Sequence, residues 1–148
     1  MSNAKEVVIL LAEDDPGHAR LIEKNLRRAR IANDIIVKTD GQQTLDFLFS
    51  DGEPNAANRH DALLVLLDLN MPVVDGYEVL SRMKKDARTR RIPVIVLTTT
   101  DDRREVARCY DLGCNIYITK PVEYGKFVKA VHSLGLFLSV VTIPEEVR

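Results

Sequence analysis

Leu63-Leu64-Val65-Leu66-Leu67-Asp68-Leu69-Asn70-Met71-Pro72-Val73-Val74-Asp75-Gly76 is the stretch on which the reading of this chain turns. Five apolar residues run unbroken into Asp68. A run without polar alternation marks a strand buried on both faces, the centre of a parallel sheet. Asn70, Pro72 and Asp75-Gly76 then end it as a loop. Asp68 is thereby expected at the C-terminal tip of a central strand, the edge at which open α/β sheets bind ligands. The plainer alternative is that Asp68 only caps the turn.

Outward from this stretch the same alternation recurs. Val7 to Ala12 reads as a first buried strand that delivers Glu13-Asp14-Asp15. Asp15-Pro16 is a helix start, with a capping carboxylate and a proline at the first helical position. Ile22, Leu26 and Ala29 follow at helical spacing. Asp15 thus has a structural task, whereas local structure requires nothing of Glu13 or Asp14. Ile35 to Thr39 is a shorter strand. Asp40-Gly41 turns into a helix with Leu45, Leu48 and Phe49 on one face, and Ser50 to Asp61 is a polar loop.

Downstream of the central strand a helix begins near Asp75 and buries Val79, Leu80 and Met83. It ends in the cationic run Lys84 to Arg91, ordinary for a helix C-terminus on a solvated surface. Ile92 to Leu97 is another buried strand, with Pro93 where no ladder donor is missed. Thr98-Thr99-Thr100-Asp101-Asp102 leads into a helix, capped by the aspartates, that carries Val106, Ala107 and Tyr110 and stops at Gly113. Asn115 to Thr119 is the last strand and ends in Lys120-Pro121. A final helix carries Phe127, Val128, Val131 and Leu134. Strands alternating with helices in this way predict an α/β doubly wound, five-stranded parallel sheet with helices on both faces. The flavodoxin-like strand order 2-1-3-4-5 suits this size, with its switch point between strands 1 and 3.

Composition narrows the function. The chain has 148 residues, enough for one domain with a proper core, and a net charge of −1. The absence of a basic excess argues against nucleic-acid binding. No apolar run reaches membrane-spanning length, and the N-terminus lacks a signal pattern. Cys109 and Cys114 are not spaced for zinc or a redox CxxC and read as small core residues in a reducing cytoplasm.

In a parallel sheet the strand ends meet along one edge. Strand 1 brings Glu13 and Asp14, strand 3 Asp68, strand 4 Thr98 and strand 5 Lys120. Three clustered carboxylates repel unless cations join them. Lys120 supplies one charge, and a hard divalent ion such as Mg²⁺ suits the oxygen ligands. A carboxylate nucleophile can form an acyl phosphate, and phosphoryl transfer is mostly positioning and charge neutralisation. The set therefore fits an aspartyl-phosphate site, with Lys120 and Thr98 holding phosphoryl oxygens.

At this point the chain resembles the receiver domains of two-component response regulators, CheY-like proteins. The resemblance runs from about Lys5 to Leu138. It rests on Glu13-Asp14, Leu67-Asp68-Leu69-Asn70-Met71-Pro72 with Asp75-Gly76, Leu97-Thr98-Thr99, and Tyr117-Ile118-Thr119-Lys120-Pro121. It implies that Asp68 is the phosphoacceptor. Asp14, Asp68 and the main-chain carbonyl of Asn70 would ligate Mg²⁺, with Glu13 reaching it through water. Thr98 and Lys120 would contact the phosphoryl group. Lys120-Pro121 would be a cis peptide bond. Tyr117 would turn inward when Thr98 moves, changing the face made by helix 4, strand 5 and helix 5; otherwise Tyr117 is a packing aromatic. Asn70 and Thr100 occupy positions that tune phosphoryl lifetime.

The residues after Leu138 are too few for an output domain, so the expectation is a stand-alone cytoplasmic receiver with a tail over 139–148. Glu13-Asp14-Asp15-Pro16-Gly17-His18 and Asp111 to Val122 are most similar to the receivers that partner phytochrome-type histidine kinases. The expected partners are such a sensor kinase and a downstream protein, with neither nucleic acid nor membrane. Leu136, Phe137, Leu138, Val140 and Val141 would support a homodimer or close the core. The chain would not be an enzyme beyond assisting its own phosphoryl transfer and autodephosphorylation. Three other readings compete. A phosphatase with an aspartate nucleophile needs a second aspartate where this chain has Asn70. A flavodoxin needs a phosphate loop where Glu13-Asp14 would repel one. A receiver-fold scaffold that works without phosphorylation conflicts only with the completeness of the pocket.

Overall fold

The computed structural model describes residues 7–28, 31–49, 63–120 and 123–133. Strands and helices alternate: β1 (Val8–Ala12), α1 (Pro16–Arg28), β2 (Ile35–Lys38), α2 (Gly41–Leu48), β3 (Leu63–Asp68), α3 (Gly76–Lys85), β4 (Val94–Thr98), α4 (Arg103–Leu112), β5 (Ile116–Thr119) and α5 (Tyr124–Ser133). The strands form one parallel sheet in the order β2-β1-β3-β4-β5. This is the expected doubly wound architecture. Because β1 lies beside β3, Ala12 pairs with Leu67, and the residues that follow each strand leave the sheet side by side.

The central strands β1, β3 and β4 are buried at every position. Successive side chains point to opposite faces, so the two cores divide by parity. Val65, Leu67, Val94 and Val96 pack with Leu45, Val79, Leu80 and Met83 of α2 and α3. Leu64, Leu66, Ile95 and Leu97 pack with Ile22 and Leu26 of α1 and Phe127 of α5. Truncating a fully buried residue such as Leu66 to alanine would cost about 2–5 kcal/mol. The edge strand β2 is only half-buried.

Helix starts follow the sequence signals. The carboxylates of Asp15, Asp40, Asp75 and Asp102 each accept a main-chain N–H of the first turn, from His18, Gln43, Glu78 and Arg104 respectively. Gly113 closes α4 at φ 108°, where its N–H donates to the carbonyls of Cys109 and Tyr110. Gly76 opens α3 hard against the end of β3. A Cβ there would lie 2.4 Å from the carbonyl oxygen of Asp68, so only glycine lets this helix start so close to the site.

Several expectations need correction. Strand β4 begins at Val94; Ile92 and Pro93 precede it, and the Pro93 carbonyl accepts the Val65 N–H. Strand β5 begins at Ile116; Asn115 precedes it, donating its main-chain N–H to the Val94 carbonyl and accepting the Val94 N–H on Oδ1 at 2.8 Å. On α4 the buried residue is Cys109, while Ala107 and Tyr110 are exposed and Val106 is half-buried. The helix abuts the sheet by a narrow stripe, and Tyr110 falls outside it. Both cysteines are buried and free. In the cationic run, Lys84 donates to the carbonyls of Arg90 and Ile92, and Arg88 folds back on Asp86. Ala29, the Ser50–Asp61 loop, Pro121 with its peptide bond, Leu134 and the 139–148 tail lie outside the described residues, and nothing is described of the Val131 side chain.

Candidate functional site

The C-terminal ends of β1 and β3 bring Glu13, Asp14 and Asp68 together. Each offers a carboxylate oxygen, and these oxygens lie within 4.8 Å of one another. Glu13 and Asp68 are buried, whereas Asp14 is exposed. Such a donor set, all hard oxygens with one open flank, fits a divalent cation. Asn70 turns its main-chain N–H back to Asp68 Oδ1 at 3.3 Å.

Lys120 reaches this cluster from the end of β5. Its ammonium lies 2.5 Å from Glu13 Oε1 and 3.6 Å from Asp68 Oδ1. The main chain aims it there: the Lys120 N–H donates to the Thr98 carbonyl at 2.6 Å, beside the Thr98–Thr119 register pair. Thr98 follows Leu97, the register partner of Asp68, and is fully buried at the same edge. Its hydroxyl accepts the Thr100 N–H at 3.4 Å.

Burial of Asp68 pushes its carboxyl up to about 6, and the Glu13 carboxylate adds to the effect. Lys120 and the Asn70 N–H oppose it. Near neutral pH the pocket therefore holds more negative charge than one ammonium compensates.

Tyr117 and Thr100 meet each other: the phenol donates to the Thr100 carbonyl at 2.6 Å. The Thr100 hydroxyl accepts the Asp102 N–H at 3.1 Å. Burial raises the phenol's pKa, with a further push from Cys109.

Two features escaped the sequence. Glu13 has a structural role after all, since its Oε2 accepts the Asp15 N–H at 3.1 Å while Oε1 holds Lys120. His18, one turn into α1, sets its Nδ1 3.2 Å from the Lys120 ammonium. The helical register from Pro16 was the only available signal for it. Val73 adopts φ 71° in the loop after β3 and is 77% exposed, a left-handed conformation rare for a β-branched residue.

Comparison with known proteins agrees with this geometry. Residues 9–132 match the response regulator receiver domain family. Response regulator Rcp1 of Synechocystis is 38% identical over 93% of this chain and 92% of its own length. Its Mn²⁺-bound crystal structure superposes with a TM-score of 0.71, covering 93% of this chain and 99% of that one, at 37% identity. A response regulator receiver domain from Rhodospirillum rubrum is 55% identical, with a TM-score of 0.74 over 94% of this chain and 98% of that one. The phosphorylated cyanobacterial phytochrome response regulator RcpA is 33% identical, with a TM-score of 0.72 over 95% of this chain and 99% of that one. Sheet order, the acidic pocket and these similarities agree, and the chain belongs to the CheY-like response regulator receiver domains of two-component signalling.

Proposed function

We propose that Asp68 accepts a phosphoryl group from the phosphohistidine of a sensor kinase. A carboxylate oxygen of Asp68 forms the new bond to phosphorus while the bond from phosphorus to the donor nitrogen breaks, and the donor imidazole keeps that electron pair. The observation that carries this reading is the convergence of Glu13, Asp14, Asp68 and Lys120 at one sheet edge. Lys120 is poised to turn from Glu13 towards a phosphoryl oxygen, and Thr98 offers a hydroxyl donor. Glu13, Asp14, Asp68 and the Asn70 carbonyl would hold Mg²⁺, which supplies charge neutralisation for the transferred group. The Mn²⁺ bound by Rcp1 supports a divalent ion in such a pocket.

The output is a changed protein-binding face over α4, β5 and α5. The bond from Tyr117 to Thr100 ties β5 to the loop before α4, so movement of Thr98 reaches both. Asn70 and Thr100 flank the site and tune the lifetime of the phosphoryl group. The similarity to RcpA, a phytochrome response regulator, favours a phytochrome-type kinase as donor, and with it a cytoplasmic place of action. Among the described residues no helix is long and apolar enough to cross a membrane. The partners on this reading are proteins rather than nucleic acid, in keeping with a net charge of −1.

Intact-protein mass after incubation with acetyl phosphate tests the reading. A Mg²⁺-dependent phosphoryl adduct that vanishes in Asp68→Asn is expected. No adduct, under conditions that label a control receiver, would move the weight to a scaffold that works without phosphate.

A further inference from the structure

His18 belongs to neither the carboxylate set nor the hydroxyl and ammonium that face a phosphoryl group, yet it touches both charges of the buried ion pair. Its Nδ1 lies 3.2 Å from Lys120 Nζ and 3.7 Å from Glu13 Oε2. The main chain holds it there, because the His18 N–H donates to the Asp15 carboxylate that starts α1. Exposure is uneven: the His18 side chain is 46% exposed, while that of Lys120 is 8% exposed. The imidazole is thus the more exposed partner of a contact whose ammonium is buried.

We propose that His18 is a positioning residue for Lys120, and that it aims the ammonium at Asp68. An ammonium has only donors, so Nδ1 must accept and the ring proton must sit on Nε2. Of the three ammonium N–H bonds, one goes to Glu13 Oε1 at 2.5 Å and one to His18 at 3.2 Å. The third is left for the direction of Asp68 Oδ1, at 3.6 Å. Without the imidazole a second N–H is freed to water, and the ammonium gains room to tilt out of the pocket. Charge placed beforehand stabilises a phosphoryl in transfer better than charge that must reorganise. His18 also connects this alignment to the start of α1, so a partner that presses on that helix would reach Lys120 through one side chain.

The inference rests on the proposed phosphoryl chemistry for its consequence but not for its geometry, and two measurements separate them. The first is the imidazole nitrogen spectrum of the unphosphorylated protein, in which the Nδ1–H and Nε2–H tautomers give distinct signals. The Nε2–H tautomer is expected, and the Nδ1–H tautomer overturns the proposal. The second is the rate of labelling by acetyl phosphate with Mg²⁺, a small donor that needs no docking face. His18→Leu is expected to slow labelling about three- to tenfold, the range that one hydrogen bond's net worth allows. His18→Asn, whose Oδ1 lies where Nδ1 does, should recover most of that rate, whereas a merely structural role would not distinguish an acceptor from an apolar side chain. Labelling of His18→Leu at the wild-type rate overturns the proposal. A wild-type protein that takes no phosphoryl overturns the reading of the site and the role of His18 in transfer, and the tautomer still decides whether the contact exists.

Discussion

The phenol of Tyr117, on β5, donates to the main-chain carbonyl of Thr100 at 2.6 Å, and so ties an edge strand to the loop that leads into α4. Removing that hydroxyl in Tyr117→Phe should cost about 1 kcal/mol. Amide hydrogen exchange should rise over residues 99–102, the loop that loses its anchor. Unchanged exchange there would show that the loop is held by other contacts.

Asp68 gives a pH prediction with a definite sign. Its folded-state pKa is pushed up from 3.8 to about 6, so its contribution to stability is fully present below about 4 and is lost as pH rises through about 6. At neutral pH the ionised carboxylate is a burden that an amide lacks. In metal-free buffer, Asp68→Asn should exceed the wild type by about 2 kcal/mol near neutral pH, and the gap should close towards about pH 4. Urea unfolding at the two pH values checks this. A gap that widens on acidification would contradict the sign.

A divalent cation should offset the same repulsion. At ten times its dissociation constant, Mg²⁺ should stabilise the wild type by about 1.4 kcal/mol. Asp68→Asn, with one ligand charge removed from the cluster, should gain less. Equal gains would place the ion elsewhere than among Glu13, Asp14 and Asp68.

Val73 stores strain. It holds φ 71° with its side chain in solvent, so no packing compensates. Val73→Gly should raise stability by about 1 kcal/mol, since glycine takes a positive φ without steric cost in this tight turn, where the Val74 N–H donates to the Pro72 carbonyl. Thermal unfolding reads the change directly.

What could be read from sequence was local or strongly periodic. The unbroken run into Asp68 identified a central strand because only a strand covered on both faces tolerates it. The capping aspartates were legible because cap and first turn are neighbours in sequence. The face of α4 was not. Val106, Ala107 and Tyr110 make a plausible stripe, but the sheet accepts only the narrower one centred on Cys109. Nor could the ion pair of Glu13 be read, because its partner Lys120 lies 107 residues away. Nothing in a lone histidine on a polar helix turn announced that His18 would stand against that same ammonium. The edge-collection argument brought Glu13, Asp14, Asp68, Thr98 and Lys120 to one rim; it could not say which of them would pair.

The two buried thiols have a practical consequence. Burial pushes Cys109 up to about 11, with Glu105 adding and Arg108 opposing, and Cys114 up to about 12, with Cys109 adding and Lys84 opposing. At neutral pH both thiols stay protonated, and the thiolate is the form that alkylating reagents attack. A maleimide dye should therefore pass over the native protein. A third cysteine engineered onto an exposed position of α4, such as Ala107, would take the label alone. Fluorescence could then follow the motion of that helix in a background whose own cysteines need not be removed.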